Sequence, residues 1–487
     1  MNSLTLLVVT DLHYARRAEW DPEVERTFHD LTLEWLHRAL RAASGSHRPD
    51  ALVLLGDLVQ DGRQPGSDHD LQDIADMAED SGLPVIVTPG NHDAYAAQVF
   101  HVFGDTPGPH AINGYTLYSF YDEYDSEERC TRRQRDLDAF LSAPCDGPIV
   151  ALQHPPIFPD VDCSEFPYMP TNVEAIRQAY ERKGVILSLS GHYHAATDPA
   201  EHNGVLYRTC PAMIRPPFGF DLVSIENGEA RITPMQLGMP DGWEIVDTHT
   251  HTHFGYCAED VHPETSGARA QALGLAGINC VEHAGQVYLP ANAFWGTEHI
   301  NDPDAIECAR NSPDNRMPAF RRAMQGFRSG YRRIGLELEC NCEGRLTLLE
   351  EDREGWDVLL GAVHWLPKNR PSRTDREFKA TFMWLVQSMV QGGIHVLAHP
   401  FRVFNANRME RPTDLYRPLA QLLKRCDVAA EMNFHHGHPD PEFFRICAEE
   451  GTRVVLSSDA HRLDEVGDLQ PHFEMLRGLG LGPDVIG

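Results

Sequence analysis

The chain has 487 residues, 42% of them hydrophobic, and 72 acidic against 42 basic residues give a formal charge of -30. That length exceeds a single core and predicts two large domains, and the acidic excess excludes a broad nucleic-acid-binding face, which needs clustered Lys and Arg to displace counterions. No apolar stretch approaches the roughly 20 residues that span a bilayer, and 11 scattered cysteines indicate thiols in a reducing compartment rather than a disulfide framework; a cytoplasmic protein with no membrane association is expected.

Met1-Asn2-Ser3 runs straight into apolar residues 4–9, without the basic n-region of a signal peptide. Strand-like runs follow at 4–10, 51–55, 85–88, 149–153 and 185–190, alternating with amphipathic helical stretches such as 24–43. Each leads into a short polar signature: Asp11-Leu12-His13, Gly56-Asp57, Gly90-Asn91-His92-Asp93, His154-Pro155 and Gly191-His192-Tyr193-His194. Carboxylates, an amide and imidazoles at the C-terminal ends of buried strands are where α/β sheets present ligands, and this donor mixture suits a dinuclear centre. Short β-like runs at 205–208, 220–225 and 230–232, with Asn227-Gly228 as a hairpin turn, finish a second sheet. Residues 238–242 are punctuation without periodicity, so the domains are placed at 1–238 and 244–487.

A fresh strand is expected from 243 to 246, ending on Asp247 of Asp247-Thr248-His249-Thr250-His251. Further apolar runs at 276–281, 334–338, 358–363, 394–397, 428–432 and 454–456 read as buried parallel strands, and seven such units predict a barrel. Metal-ligand types terminate them: His283, Glu337, His364, His399, and Asp459 and His461 in Asp459-Ala460-His461. Residues 284–333 form an insertion that reads equally as a substrate-covering lid or a peripheral helical pair. His435-His436-Gly437-His438 lines or borders the mouth and stays unassigned, and Cys340-Asn341-Cys342 reads as buried free thiols.

Two divalent ions close together need a bridging carboxylate, because an anionic oxygen ligand can serve both and reduce their repulsion. Asp57 is the candidate bridge; Asp11, His13 and His194 complete one shell, and Asn91, His154 and His192 the other. This ordered set resembles the calcineurin-like metallophosphoesterase family, most closely the bacterial class III cyclic-nucleotide phosphodiesterase branch. The resemblance implies a four-layer αββα sandwich and in-line attack on phosphorus by a hydroxide activated between two ions. It further implies that His92 contacts phosphate and protonates the leaving alkoxide, with Asp93 orienting its ring.

The second set resembles the PHP family, named for polymerase and histidinol phosphatase. That resemblance implies a distorted (β/α)7 barrel in which His249, His251, Glu337 and Asp459 hold one ion, Glu337 bridges to a second held by His364 and His399, and His283 and His461 hold a third. Two departures stand out. Cys257 occupies the offset where the family supplies another His or Asp, reading either as a zinc-favouring thiolate or as an inert thiol. Glu282 stands in place of the usual Asp and is expected to orient His283. Arg402, Arg408 and Arg370 are candidates for holding a phosphate group.

The expectation is a bifunctional metal-dependent phosphoesterase, with Mn, Fe or Zn as cofactors, two in the first site and two or three in the second. A phosphodiester, such as a cyclic nucleotide or cyclic sugar phosphate, is opened first, and the resulting monoester is cleaved by the PHP site. Its partners are small phosphorylated substrates, not long nucleic acid. The alternatives are a nuclease or nucleotidase acting on short oligonucleotides, and retention of one domain as a metal-stabilised scaffold or sensor.

Overall fold

A computed structural model describes residues 3–16, 28–93, 95–161, 166–258, 260–370, 372–435 and 437–487. The chain divides into two compact units, Met1–Gly238 and Met239–Gly487. No helix among the described residues is long and apolar enough to cross a membrane.

The first unit holds two sheets. One runs in the order Glu229–Gln236, Gly219–Glu226, Ser3–Val9, Ala51–Leu54, Val85–Val87. The other runs Ala200–His202, Val205–Thr209, Val185–Ser190, Ile149–Leu152, Tyr115–Ser119, Gly108–Ile112. Alternate residues of their strands, including Leu6, Val53, Leu117, Val150, Leu187 and Val223, form one buried core between the sheets. The opposite face of the six-stranded sheet packs Tyr118, Ala151 and Tyr207 against Phe140 and Ile176 of the helices Gln134–Ser142 and Val173–Lys183. Because both faces of the central strands are buried, their sequences read as continuous apolar runs instead of alternating ones.

The helix expected at 24–43 is Thr32–Ser46, and positions 24–27 lie outside the described residues. Asn227-Gly228 forms the expected two-residue hairpin: both residues have positive φ, 55° and 84°, between the paired Glu226 and Glu229, which is the conformation a type I′ turn demands. The hairpin of Gly108–Ile112 with Tyr115–Ser119 escaped the sequence reading, although its Asn113-Gly114 turn carries the same signature.

The second unit is a single seven-stranded parallel sheet in chain order: Val246–Thr250, Gly277–Cys280, Arg332–Leu338, Val358–Gly361, Val396–Leu397, Ala429–Asn433, Val454–Ser457. The first strand begins later than expected and runs on through His249, not stopping at Asp247. Its end meets the last strand through a parallel bridge, Thr250 to Ala460, and the His251 N–H donates to the Ala460 carbonyl at 2.9 Å. The sheet thereby all but closes into a barrel. Its core comprises Val358, Leu360, Ala362, Val396, Ala398, Ala429 and Val455. Two-residue periodicity carries the face of Ala429 on to Glu431 and Asn433, and that of Val455 on to Ser457, so the interior turns from apolar to polar toward the C-terminal mouth. The insertion at 284–333 is helical, built of Ala284–Tyr288, Ala291–Trp295, Glu298–Asn301, Ala305–Ala309 and Met317–Phe327. Cys340 and Cys342 are buried free thiols.

Candidate metal centres

In the first unit, Asp11 and His13 follow the strand Ser3–Val9, Asp57 follows Ala51–Leu54, Asn91 and His92 follow Val85–Val87, His154 follows Ile149–Leu152, and His192 and His194 follow Val185–Ser190. The fold brings them together. Donor atoms of Asp11, His13 and His194 lie within 4.8 Å of one another, as do those of Asp57, His154 and His192, and those of His13, Asp57 and His92. Asp57 spans the groups: its Oδ2 is 3.6 Å from His13 Nε2 and 3.2 Å from His154 Nε2, while Oδ1 accepts a hydrogen bond from the His92 N–H at 2.9 Å.

Such crowding is possible only with a strained backbone and no side chain at key neighbours. Asp11, His13, Asp57 and His192 all have φ between 47° and 67°, a left-handed conformation costing roughly 1–3 kcal/mol per non-glycine residue and characteristic of functional sites. A Cβ on Gly90 would come within 2.8 Å of Asp57 Cγ, and one on Gly191 within 2.8 Å of Asp11 Oδ2.

The ligand orientations are fixed from behind. His154 Nδ1 donates to the Leu55 carbonyl at 2.6 Å, His13 Nδ1 to Gln60 Oε1 at 3.0 Å, and Asp11 Oδ2 accepts from the His192 N–H at 3.0 Å. Asp11 Oδ1, Asn91 Oδ1, His154 Nε2 and His192 Nε2 are all buried without a hydrogen-bond partner, an arrangement costly in an interior unless those atoms ligate something. Burial holds His13 and His192 down at about 3, neutral at physiological pH, the form whose lone pair binds a cation. Burial alone would raise Asp11, but the imidazole of His194, whose Nε2 lies 3.3 Å from Oδ1, and the charge of His154 outweigh it and hold the acid at about 2. The donor set of imidazoles, carboxylates and one amide therefore fits a pair of divalent transition metals.

One assigned role changes. Asp93 does not orient the His92 ring: its carboxylate accepts from the backbone N–H groups of Leu58, Val59 and Gly90 at 2.8, 3.1 and 2.8 Å, tying two ligand loops together. The His92 ring is held by its Nδ1 donating to the Gln60 carbonyl at 2.6 Å. His92, Asn91, Phe166, Tyr168, His194 and Arg215 border a cleft over this centre. Arg215 and Tyr168 escaped the sequence reading, since neither adjoins a ligand signature.

In the second unit Glu337 is buried and divided between two donor groups. Its Oε2 is 3.5 Å from His249 Nε2, 3.7 Å from His251 Nε2 and 2.8 Å from His283 Nδ1, while Oε1 is 3.3 Å from His364 Nε2 and 3.0 Å from His399 Nε2. Asp459 Oδ1 lies 3.0 Å from His251 Nε2 and 3.5 Å from His249 Nε2. Burial opposes ionisation of Glu337, but charge on the surrounding imidazoles outweighs it and holds the acid well below the usual range. His249 Nε2, His283 Nδ1, His364 Nε2 and Glu337 Oε2 are buried with no hydrogen-bond partner, so these residues too fit clustered divalent cations.

Behind them stands a ring of carboxylates. Glu431 Oε1 accepts from His249 Nδ1 at 2.8 Å, and Glu339 Oε1 from His364 Nδ1 at 2.9 Å. Glu282 Oε1 takes His251 Nδ1 at 3.3 Å and the backbone N–H of His283 at 3.0 Å. The ring Glu282 orients is thus that of His251, not of His283. Glu431 and Glu339 were missed because nothing in their local sequence distinguishes them from other strand acids.

Of the three arginines, Arg402 borders a cavity at the barrel mouth together with His283, His364, His461, Phe294 and Trp295, so the insertion supplies part of its wall. Arg370 is not directed there. It lies over the Trp384 ring at 3.7 Å and donates to the Cys342 carbonyl at 3.3 Å. Arg408 follows the helix Arg402–Ala406 with φ 55° and is not among the residues bordering the cavity. His435 stacks on His461, ring centroids 4.6 Å apart; His436 and Glu259 lie outside the described residues.

Residues 4–196 match the calcineurin-like phosphoesterase family. A serine/threonine-protein phosphatase, CPPED1 of Danio rerio, is 29% identical over 200 residues, covering 36% of this chain and 61% of that protein. A probable cyclic nucleotide phosphodiesterase of a Synechococcus strain is 28% identical over 156 residues, covering 30% and 59%. The chain thus spans less than two thirds of the length of either relative. Similar solved structures include a dimetal phosphatase from Danio rerio (14% identity, 48% of this chain and 97% of that one, TM-score 0.42) and a putative histidinol phosphatase from Listeria monocytogenes (17% identity, 46% and 97%, TM-score 0.34). With its ordered ligands gathered around Asp57, the first unit carries a calcineurin-like metallophosphoesterase domain.

Proposed function

We propose that the chain is a bifunctional metal-dependent phosphoesterase: the first unit opens a phosphodiester of a small substrate and the second, a PHP-type barrel, removes the resulting monoester phosphate. The observation carrying this reading is that each unit places one buried carboxylate, Asp57 or Glu337, between two groups of imidazole and acidic donors. In the first unit Asp11, His13, Asp57, Asn91, His154, His192 and His194 would hold two ions. In the second, His249, His251, Glu337, Asp459, His364 and His399 would hold two more. Bound there, Mn, Fe or Zn ions supply Lewis acidity toward phosphate oxygens and acidify water at neutral pH.

The remaining work falls to the protein's own groups. With Nδ1 committed to the Gln60 carbonyl, His92 presents Nε2 to the cleft, where it can give a proton to the leaving alkoxide. Burial pulls His92 down, but the charges of Asp57 and Asp93 together with the Gln60 carbonyl outweigh it and raise the ring above its ordinary value in the metal-free chain. Arg215 in the first cleft and Arg402 in the second can grip non-bridging phosphate oxygens. The substrates are small phosphate esters, since the charge of -30 repels long polyanions.

The test supplies cyclic and linear phosphodiesters and follows monoester and free phosphate separately. Asp57→Asn should abolish diester opening, whereas Glu337→Gln should leave opening intact and let the monoester accumulate. Phosphate release unaffected by Glu337→Gln would eliminate the two-step scheme; turnover of linear dinucleotides alone would favour a nuclease.

A further inference from the structure

Between the two sheets' ligand loops of the first unit, residues 122–133 form a short hairpin, Glu123–Tyr124 paired with Cys130–Thr131. Tyr124 anchors it at the first centre, its ring meeting those of His154 and His192 edge-on with centroids 6.4 and 5.9 Å apart. The tip is tied down: Asp125 Oδ1 accepts from the N–H groups of Glu127 and Arg129 at 2.8 and 3.0 Å, and the Glu128 N–H donates to the Asp125 carbonyl at 3.1 Å. Glu128 has φ 59° and is exposed, and it borders the same cleft as Asp57, His92 and Arg215. We infer that the Glu128 carboxylate is a specificity-determining group of the first unit, shifting its selectivity from doubly charged phosphomonoesters toward singly charged phosphodiesters. The inference rests on the reading of the first unit as the half that opens a diester.

The charges of the hairpin single this residue out. Asp122 pairs with Arg132 at 2.9 Å, Glu123 pairs with Arg133, and Asp125 and Glu127 pair with Arg129 at 2.9 and 3.0 Å. Each of these acids is offset by an arginine of the same hairpin. Glu128 is the exception, forming no ion pair among the described residues. Arg215 forms none either, so outside the ligand cluster the cleft carries one uncompensated anion and one uncompensated cation among the described residues.

A phosphodiester carries one negative charge at neutral pH, whereas a monoester, whose second ionisation lies near pH 6, carries close to two. Bound cations by themselves favour the more highly charged ester, and Glu128 opposes that preference at every added charge. For a carboxylate separated from the phosphate by solvent, the repulsion is worth about two- to threefold in binding per phosphate charge. Product release follows the same rule. When water opens the diester its oxygen joins phosphorus, one proton ends on the leaving alkoxide, and the other is lost from the new P–OH to solvent. The monoester therefore gains a charge as it forms, and Glu128 opposes its retention in the cleft.

The test uses the full-length, manganese-loaded chain carrying Glu337→Gln, with bis(p-nitrophenyl) phosphate and p-nitrophenyl phosphate as probes; turnover that Asp57→Asn abolishes is assigned to the first unit. At low salt Glu128→Gln should raise kcat/KM about two- to threefold for the diester and about four- to ninefold for the monoester, so that diester preference falls about two- to threefold. Glu128→Lys should lower that preference by about the square of this factor, and both effects should fade in about 0.5 M salt. Glu127→Gln removes the same formal charge from a residue that does not border the cleft and should leave the preference unchanged. A diester preference that Glu128→Gln leaves alone, or that Glu127→Gln shifts as much, overturns the inference while sparing the reading of the first unit. Ester turnover indifferent to Asp57→Asn overturns that reading, and the inference with it.

Discussion

Replacement of Glu431 by Gln is the sharpest probe of how the second centre is held, because Glu431 takes Nδ1 of His249, the ring nitrogen turned away from Glu337 and Asp459. Its carboxylate, fully buried, accepts four hydrogen bonds: His249 Nδ1 and Ser457 Oγ at 2.8 and 2.7 Å on Oε1, the His399 backbone N–H and Asn433 Nδ2 at 2.5 and 3.1 Å on Oε2. A glutamine is nearly the same shape but must set its NH2 against one of these donor pairs. The His399 N–H cannot reorient, so the cheaper choice puts NH2 toward His249 and Ser457. The serine hydroxyl can rotate to accept. His249 can accept only by moving its proton to Nε2, the atom that faces Glu337 and Asp459, which ends its ability to ligate.

Loss of such an orienting partner typically lowers metal affinity about 10–100-fold, or roughly 1.4–2.8 kcal/mol. Breaking the buried anionic network without metal should cost about 1–3 kcal/mol of stability. The assay is competition against a chromophoric chelator together with denaturant unfolding of the metal-free chain. The affinity loss should be confined to the ions that Glu337→Gln also removes. Wild-type affinity in Glu431→Gln, with an unchanged unfolding midpoint, would refute the tautomer argument.

Gly90→Ala should cost at least about 1–3 kcal/mol, seen in thermal unfolding, and should deplete metal in the first unit, because the new methyl meets Asp57. Arg402→Ala should raise KM for phosphate monoesters about tenfold or more while leaving metal content unchanged, as expected for loss of a charged hydrogen bond. His472 gives a pH signature away from the donor clusters: burial holds it down at about 4, and its Nε2 donates to the Met432 carbonyl at 3.0 Å. Between pH 6.5 and 4 the unfolded chain takes up this proton and the folded chain does not, so stability falls with acidification, by about 3 kcal/mol across the window. His472→Gln should flatten that part of the unfolding free-energy profile relative to wild type; identical profiles would show that the buried imidazole contributes nothing.

The sequence alone determined what each strand carries. Apolar runs ending in Asp, Asn or His place ligands at strand ends whatever the neighbours are, because burial of a strand and exposure of its end are local consequences of composition. Asn227-Gly228 likewise declared its hairpin, since a two-residue loop needs positive φ at both positions.

Only the tertiary structure decided which strand lies beside which, and with it the supporting cast. Glu431 reaches both His399 and Ser457 because Ala429–Asn433 pairs between Val396–Leu397 and Val454–Ser457. Asp93 clamps backbone N–H groups instead of a ring because residues 57–59 and Gly90 converge on it. Arg370 turns to Trp384 while Arg402 faces the mouth. These roles depend on distances between segments as far as 182 residues apart, such as His249 and Glu431, and no periodicity along one strand encodes the partner that packing brings to it.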